Sequence, residues 1–157
     1  MDWNLDWNKT IVDNLTPAML AWKNDFFGLP PQGSDEEKIF YWVNFIKAIV
    51  QNESGNNPKC DYQEDETVDN NISRGLLQLS TEDAQNEIYA DCPTVVSLTL
   101  ENIYDPATNL KAGMEIMNHL IENGETSLRA YWSTTNEEEK GAQTLETLRD
   151  LNGALND

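Results

Sequence analysis

Apolar residues recur at Ile39, Val43, Ile46 and Val50, in steps of four, three and four, which is one stripe of an α-helix. The next place on that stripe, three residues on, holds Glu53. A carboxylate therefore stands where the pattern asks for core, at the end of a strongly hydrophobic helix. Ser34, with Glu37 three residues later, forms a capping box that opens the helix. Gly55 suits the left-handed residue that closes one and Pro58 bars continuation, so the helix is expected to stop just after Glu53. Two readings of Glu53 follow from its position. Burial and the negative end of the helix dipole would both raise its carboxyl pKa, the condition for a general acid that keeps its proton near neutral pH. A residue in a frayed, solvated last turn would behave as an ordinary glutamate.

Upstream, Asp2-Trp3-Asn4 is repeated as Asp6-Trp7-Asn8, and Trp3 and Trp7, four apart, would share one helical face and pack onto the domain. Thr16-Pro17 reads as N-cap and first residue of a helix carrying Leu20, Trp22 and Phe26, closed by Gly28 and Pro30-Pro31. Downstream, residues 59–72 lose all apolar periodicity and carry Asp61, Glu64, Asp65, Glu66 and Asp69, the pattern of a loop or a short irregular hairpin. Gly75-Leu76-Leu77-Gln78-Leu79 is a compact apolar run with one embedded amide. Ser80-Thr81-Glu82-Asp83 predicts a cap and a helix reaching about Tyr89, broken by Cys92-Pro93. Residues 94–104 predict a loop with one helical turn. Asp105-Pro106 caps a helix whose stripe is Leu110, Met114, Met117 and Ile121, ending at Gly124, with the lone His119 beside the stripe in a packing or surface role. Thr126 to Trp132 predicts a short helix, Glu137 to Lys140 a solvated turn, and Leu145, Leu148 and Leu151 a final amphipathic helix. The sum is a mainly α chain with at most a small β element between residues 60 and 79.

At 157 residues the chain fits one domain with a real core. Five Trp, five Tyr and four Phe in 39% apolar content set it apart from disordered chains. No run approaches the roughly 18 apolar residues of a membrane span, and no basic segment leads into an apolar one as in a signal peptide. A net charge of −18 excludes polyanions as natural partners, nucleic acid and anionic membrane faces among them. It fits a cationic ligand or high salt, and it fits solubility alone equally well. Asp61, Gln63 and Asp65 have the one-three-five spacing of a calcium loop, but the sixth position is Glu66 and the twelfth Ile72, so no metal or other cofactor is expected. Cys60 and Cys92 have no metal-binding spacing; they would form one disulfide outside a reducing cytosol, or stand as two free thiols.

Four segments acquire meaning from their order. Glu53-Ser54-Gly55-Asn56-Asn57-Pro58 resembles the ESGxNP signature of soluble lytic transglycosylases and goose-type lysozymes. Gly75 to Leu79 resembles that family's GLMQL segment, Asp105-Pro106 leading into Asn109 to Gly113 its DPxxNIxxG helix start, and Ala130-Tyr131-Trp132 its AYN segment. The resemblance covers residues 53–132; the first fifty residues match nothing family-specific. It implies a lysozyme-like fold, a two-lobed helical domain over 34–157 with a substrate groove, preceded by an N-terminal helical extension over 1–33. It also implies Glu53 as the catalytic acid, Gln78 and Ser80 beside the cleaved bond, and Tyr131 across the groove, holding the sugar or orienting the carboxyl. Ser54 would support the turn, with Gly55 letting backbone and substrate approach closely. Leu77 in place of Met conserves volume. Ser80, at a position often Met, makes the subsite floor more polar. Trp132 for Asn, followed by Ser133-Thr134-Thr135, departs from the family and bears on the distal subsites.

The function implied is cleavage of the β-1,4 bond between MurNAc and GlcNAc-type sugars of peptidoglycan, by an exported, secreted or periplasmic monomer. Hydrolysis takes a second carboxylate across the groove, for which Asp61, Glu64, Asp65, Glu66 and Asp69 are available. A lytic transglycosylase needs one acid, which later deprotonates the muramyl 6-hydroxyl to close a 1,6-anhydro ring. The carboxylate-rich loop, Asp61 and Glu64 in particular, suits a glycan bearing free amines, glucosamine left by N-deacetylation. A non-catalytic glycan-binding protein on the same fold and an acidic helical interaction module are the other classes, and Glu53→Gln separates the first from an enzyme.

Overall fold

The computed structural model describes residues 1–23, 33–63, 72–126, 128, 131 and 132. Its helices are α1 (Asp6–Asp13), α2 (Pro17–Leu20), α3 (Asp35–Ser54), α4 (Pro93–Val96) and α5 (Pro106–Glu122). Two short strands, β1 (Asp61–Gln63) and β2 (Ile72–Arg74), pair antiparallel with Asp61 opposite Arg74 and Tyr62 opposite Ser73. The fold is mainly α with a small β element in the expected place.

The central helix α3 starts as its sequence dictates. The Ser34 hydroxyl accepts from the Glu37 N–H at 3.3 Å, the Glu37 carboxylate accepts from the Ser34 N–H at 3.5 Å, and Asp35, Glu36 and Glu37 face the positive end of the dipole. It ends at Gly55, held left-handed at φ 60°, ψ 33°. The buried stripe is offset from the expected one. Trp42, Phe45, Ile46, Ile49 and Val50 form it, while Ile39 and Val43 lie half-buried at its margin. The large rings decide this: Trp22, Trp42 and Phe45 pack with centroids 5.3–5.9 Å apart. Glu53, three residues past Val50 and four past Ile49, still falls on the buried side.

Helices α1 and α2 pack against α3 and α5, and α4 packs against α5. Leu5 is the N-cap of α1, so Trp3 precedes the helix, and it meets Trp7 edge-on at 5.0 Å from the preceding loop. Indole N–H groups are satisfied by backbone carbonyls: Trp42 donates to Met19 O and Trp22 to Glu125 O, each at 2.8 Å. The Thr16 hydroxyl caps α2 by accepting from Met19 N–H at 3.1 Å, but the helix ends at Leu20; Trp22 follows it and Phe26 lies outside the described residues.

One further expectation is corrected, and one open alternative is decided. Residues 81–89 form two 3₁₀ segments, Thr81–Gln85 and Glu87–Tyr89, because Asn86 turns extended (ψ 119°) and caps the second with its side chain. The segment does end at Tyr89, ahead of Cys92-Pro93, and the expected single helical turn follows as α4, its Thr94 and Val95 N–H groups capped by the Glu115 carboxylate of α5 at 2.8 and 3.1 Å. Cys60 and Cys92 are both free, the Cys92 thiol facing the Glu115 carbonyl on α5 at 3.7 Å while Cys60 leads into β1. The helix α5 is as expected, capped by Asp105, which accepts from Thr108 N–H at 3.0 Å, with Leu110, Met114 and Met117 buried and Ile121 half-buried. From residue 126 on, Tyr131 N–H and Trp132 N–H donate to Leu128 O at 3.1 and 3.0 Å; residues 133–157, with the predicted turn and last helix, lie outside the described ones.

Candidate functional site

Glu53 stands half-buried in the last full turn of α3. The chain then bends sharply through two left-handed residues, Gly55 and Asn56, the latter at φ 63°. The Ser54 hydroxyl donates back to Val50 O at 3.0 Å and is buried, so Ser54 supports the turn as expected. A Cβ built on Gly55 meets no atom of the described residues beyond its chain neighbours within 4 Å. Met1 lies against the same turn: its ammonium donates to Gly55 O at 3.2 Å and its carbonyl accepts from the Asn56 amide at 3.1 Å.

The Cys60 carbonyl ties this turn to the Gly75–Leu79 segment. It accepts from Gly75 N–H at 2.9 Å and from the Gln78 amide at 3.0 Å, and the same amide donates to Gly75 O at 2.8 Å. Gln78 is buried and left-handed at φ 53°, with its amide nitrogen committed to holding its own turn closed. The Cys60 thiol is pushed above its ordinary pKa by burial, then by the negative charges of Asp61 and Glu53. Glu53 and the Gln78 turn thus converge on one residue.

Residues 75–79 are in turn clamped to α5. Arg74 and Leu79 exchange backbone hydrogen bonds at 2.8 and 2.9 Å, closing the loop. Asn109, fully buried, accepts from Leu77 N–H at 2.8 Å and donates to Arg74 O and Ile103 O at 3.1 and 2.9 Å. A Cβ on Gly113 would lie 2.3 Å from Leu77 Cδ1, so the glycine makes the notch in which Leu77 sits. The spacing of Asn109 and Gly113 is one turn of α5, which is why the two motifs travel together.

Ser80 is half-buried, its hydroxyl accepting from Glu82 N–H at 3.1 Å. Tyr131 is half-buried, and its hydroxyl donates to the Asp83 carboxylate. Its ring lies 4.5 Å from that of Trp132, whose buried indole N–H donates to Leu77 O at 2.8 Å. Tyr131 and Trp132 are therefore docked on residues 77–83, and Trp132 in the place of asparagine is an anchor. Burial pushes the Asp83 carboxyl above its ordinary pKa, opposed by the bonds from Tyr131 and the Ser80 backbone. Asp83, and the clamping role of Asn109, named only as part of the helix-start motif, escaped the sequence reading. Asp83 passed for a helix-capping acid, and no periodicity links it to a tyrosine 48 residues away. Asn109 had one available signal, an amide beside the buried Leu110 with a glycine one turn on.

On the β side, Asp61 is exposed and accepts from the Tyr104 hydroxyl at 2.5 Å, which itself accepts from Arg74 Nε at 3.1 Å. Glu64, with Asp65, Glu66 and Asp69, lies outside the described residues. No group of three or more His, Cys, Asp or Glu among the described residues is arranged to hold a metal ion. No described helix is long and apolar enough to cross a membrane.

The transglycosylase SLT domain model matches residues 33–143, from the start of α3 past Trp132. The chain belongs to the SLT transglycosylase family. This SLT domain is accordingly a peptidoglycan-acting enzyme of the lysozyme-like, lytic transglycosylase kind. Its fold matches the solved structure Bd0314 DslA, wild-type form 2, at TM-score 0.73 and 22% identity, over 93% of this chain and 89% of that one. Two single glutamate-to-glutamine mutants of DslA match at TM-scores 0.70 and 0.72 and 21% identity, over 90% and 93% of this chain and 87% and 89% of theirs. No curated protein matches this SLT domain.

Proposed function

We propose that this enzyme hydrolyses the β-1,4 bond between MurNAc and GlcNAc-type sugars of peptidoglycan, with Glu53 as general acid. The observation that carries this reading is the seat of Glu53, half-buried in the last turn of α3 where the left-handed Gly55 bends the chain away. In that seat a carboxyl can protonate a glycosidic oxygen. Gln78 and Ser80 line the groove floor, Gln78 by shaping the turn, and Tyr131 forms the opposite wall.

Hydrolysis asks for a second carboxylate, and Glu64 is our candidate. Its support is a spacing: the glutamates replaced in the two DslA mutants lie eleven residues apart, as do Glu53 and Glu64 here. Lytic cleavage, with Glu53 alone acting as acid and then base, is the second reading. Mass spectrometry of digested sacculi decides between them. Reducing ends are expected; 1,6-anhydro-muramyl ends overturn hydrolysis, and cleavage undiminished in Glu53→Gln overturns the acid.

The net charge of −18 and the carboxylates at Asp61 and Glu64 support a preference for N-deacetylated glycan, whose ammonium groups they would attract. De-N-acetylated wall is then cut faster than acetylated wall at low salt, and equal or slower cutting removes the preference. Since peptidoglycan lies outside the cytoplasm, the enzyme works as an exported protein or one delivered to a target wall.

A further inference from the structure

The Tyr131 side chain is held at both ends. Its hydroxyl donates to Asp83 Oδ2 across 48 residues of sequence, and the Ser80 backbone N–H faces both oxygens. Its ring rests against Trp132, itself fixed to Leu77 O. Burial, then the Asp83 charge, pushes the Tyr131 hydroxyl well above its ordinary pKa, so it stays a donor. Asp83 in turn sits in a 3₁₀ segment begun by Ser80, with its N–H donating to Ser80 O at 3.2 Å. A hydroxyl committed in this way has no proton left to donate to a sugar, while the residue as a whole stays partly exposed.

We infer that Asp83 is a positioning residue of the glycan site: its carboxylate holds Tyr131 by the hydroxyl, so that Tyr131 meets the apolar face of a pyranose ring with its own ring. This rests on Tyr131 forming the groove wall, as proposed above. It assigns Tyr131 a stacking role in place of hydrogen bonding to sugar or acid. A charge-assisted bond holds a ring more firmly than a neutral one, so the platform is set while Asp83 is ionised and loosens when it takes up a proton. The groups facing Asp83 are Glu82 beside it, Tyr89 on the next 3₁₀ segment and Tyr131. The neighbouring α4 carries no titratable side chain; Cys92 before it faces Tyr89, and His119 of α5 packs on the Tyr89 ring at 5.5 Å. Tyr89 is pushed up to about 12 and Cys92 to about 11, chiefly by burial, so neither titrates alongside Asp83.

The test compares the wild type, Asp83→Asn, Tyr131→Phe and the double variant on purified sacculi, from about pH 4 to 8. Each single change is expected to raise KM roughly tenfold while kcat falls less than about threefold, the sign of lost substrate binding. The double variant should be no worse than the poorer single one, because both remove the same bond. Wild-type KM should climb as pH falls through the raised Asp83 pKa, and that limb should vanish in Asp83→Asn and in Tyr131→Phe. Additive effects, an acid limb that survives in Asp83→Asn, or a Tyr131→Phe enzyme with unchanged KM would each overturn the inference. A wild type that neither cuts nor binds sacculi sinks the glycan reading itself, whereas one that cuts while both single variants leave KM alone sinks only the role of Asp83.

Discussion

The buried Asn109 side chain accepts a 2.8 Å hydrogen bond from the backbone N–H of Leu77 and so fastens the turn beside the candidate acid to α5. Its amide also donates to Arg74 O and Ile103 O. One side chain thus satisfies three backbone groups from two segments, which no apolar residue of similar size can do.

Asn109→Leu should therefore destabilise the fold by roughly 2–4 kcal/mol, since the Leu77 N–H is left buried without this partner. Chemical denaturation measures it. A loss under about 0.5 kcal/mol would mean that the turn does not depend on the clamp.

Two glycines with positive φ should respond differently to alanine. At Gly55 (φ 60°) a Cβ meets open space, so Gly55→Ala costs about 1 kcal/mol of backbone strain alone. At Gly75 (φ 80°) the Cβ would lie 2.3 Å from Asn109 Nδ2 and 2.9 Å from Ile103 O. Gly75→Ala adds that collision to the strain and should cost about 3 kcal/mol or more. Equal melting temperatures for the two variants would contradict this packing.

Neither cysteine should behave as a disulfide partner or as a reactive thiol. Burial, reinforced by Glu115, Asp91 and Glu122, pushes Cys92 up to about 11, and Cys60 is raised as well. At pH 8 alkylation of the folded protein should be much slower than that of a free thiol, and the mass should be the same with and without reductant. Rapid labelling of Cys92, or a mass gain on reduction that matches two hydrogens, would show otherwise.

Asp83 gives a stability signature with a defined sign. Its native carboxyl pKa is raised above the ordinary 3.8, so the native state holds the proton more tightly than the unfolded chain. The stability this proton contributes is fully present below the unfolded pKa and is lost as pH rises through the raised native one. Asp83→Asn should lose less stability than the wild type between about pH 4 and 7. Parallel stability curves would rule out a perturbed Asp83.

Much of the scaffold could be read from residue order. The capping box at Ser34 and Glu37, the Gly55 stop, the Asp105-Pro106 cap and the Leu110-Met114-Met117 stripe are each local to a single helix, so short-range sterics and hydrogen bonding settle them. The four ordered motifs led from there to the family. Failures fell where a distant contact outweighed local preference. Aromatic packing among Trp22, Trp42 and Phe45 turned α3 away from the Ile39-Val43 stripe. Asn86 divided a segment that composition alone made one helix.

For the site the division is the same. The sequence determined that a carboxylate ends the central helix on its buried side, followed by a glycine-permitted bend, because helical periodicity and left-handed backbone sterics act over a few residues. Tertiary structure alone decided that Gln78 spends its amide on the Cys60 and Gly75 carbonyls, that Trp132 anchors on Leu77, and that Asp83 holds Tyr131. Apart from the local Gln78–Gly75 bond, these join residues 18 to 55 positions apart, and only the packing of α3, α5 and the β hairpin brings donor and acceptor within reach.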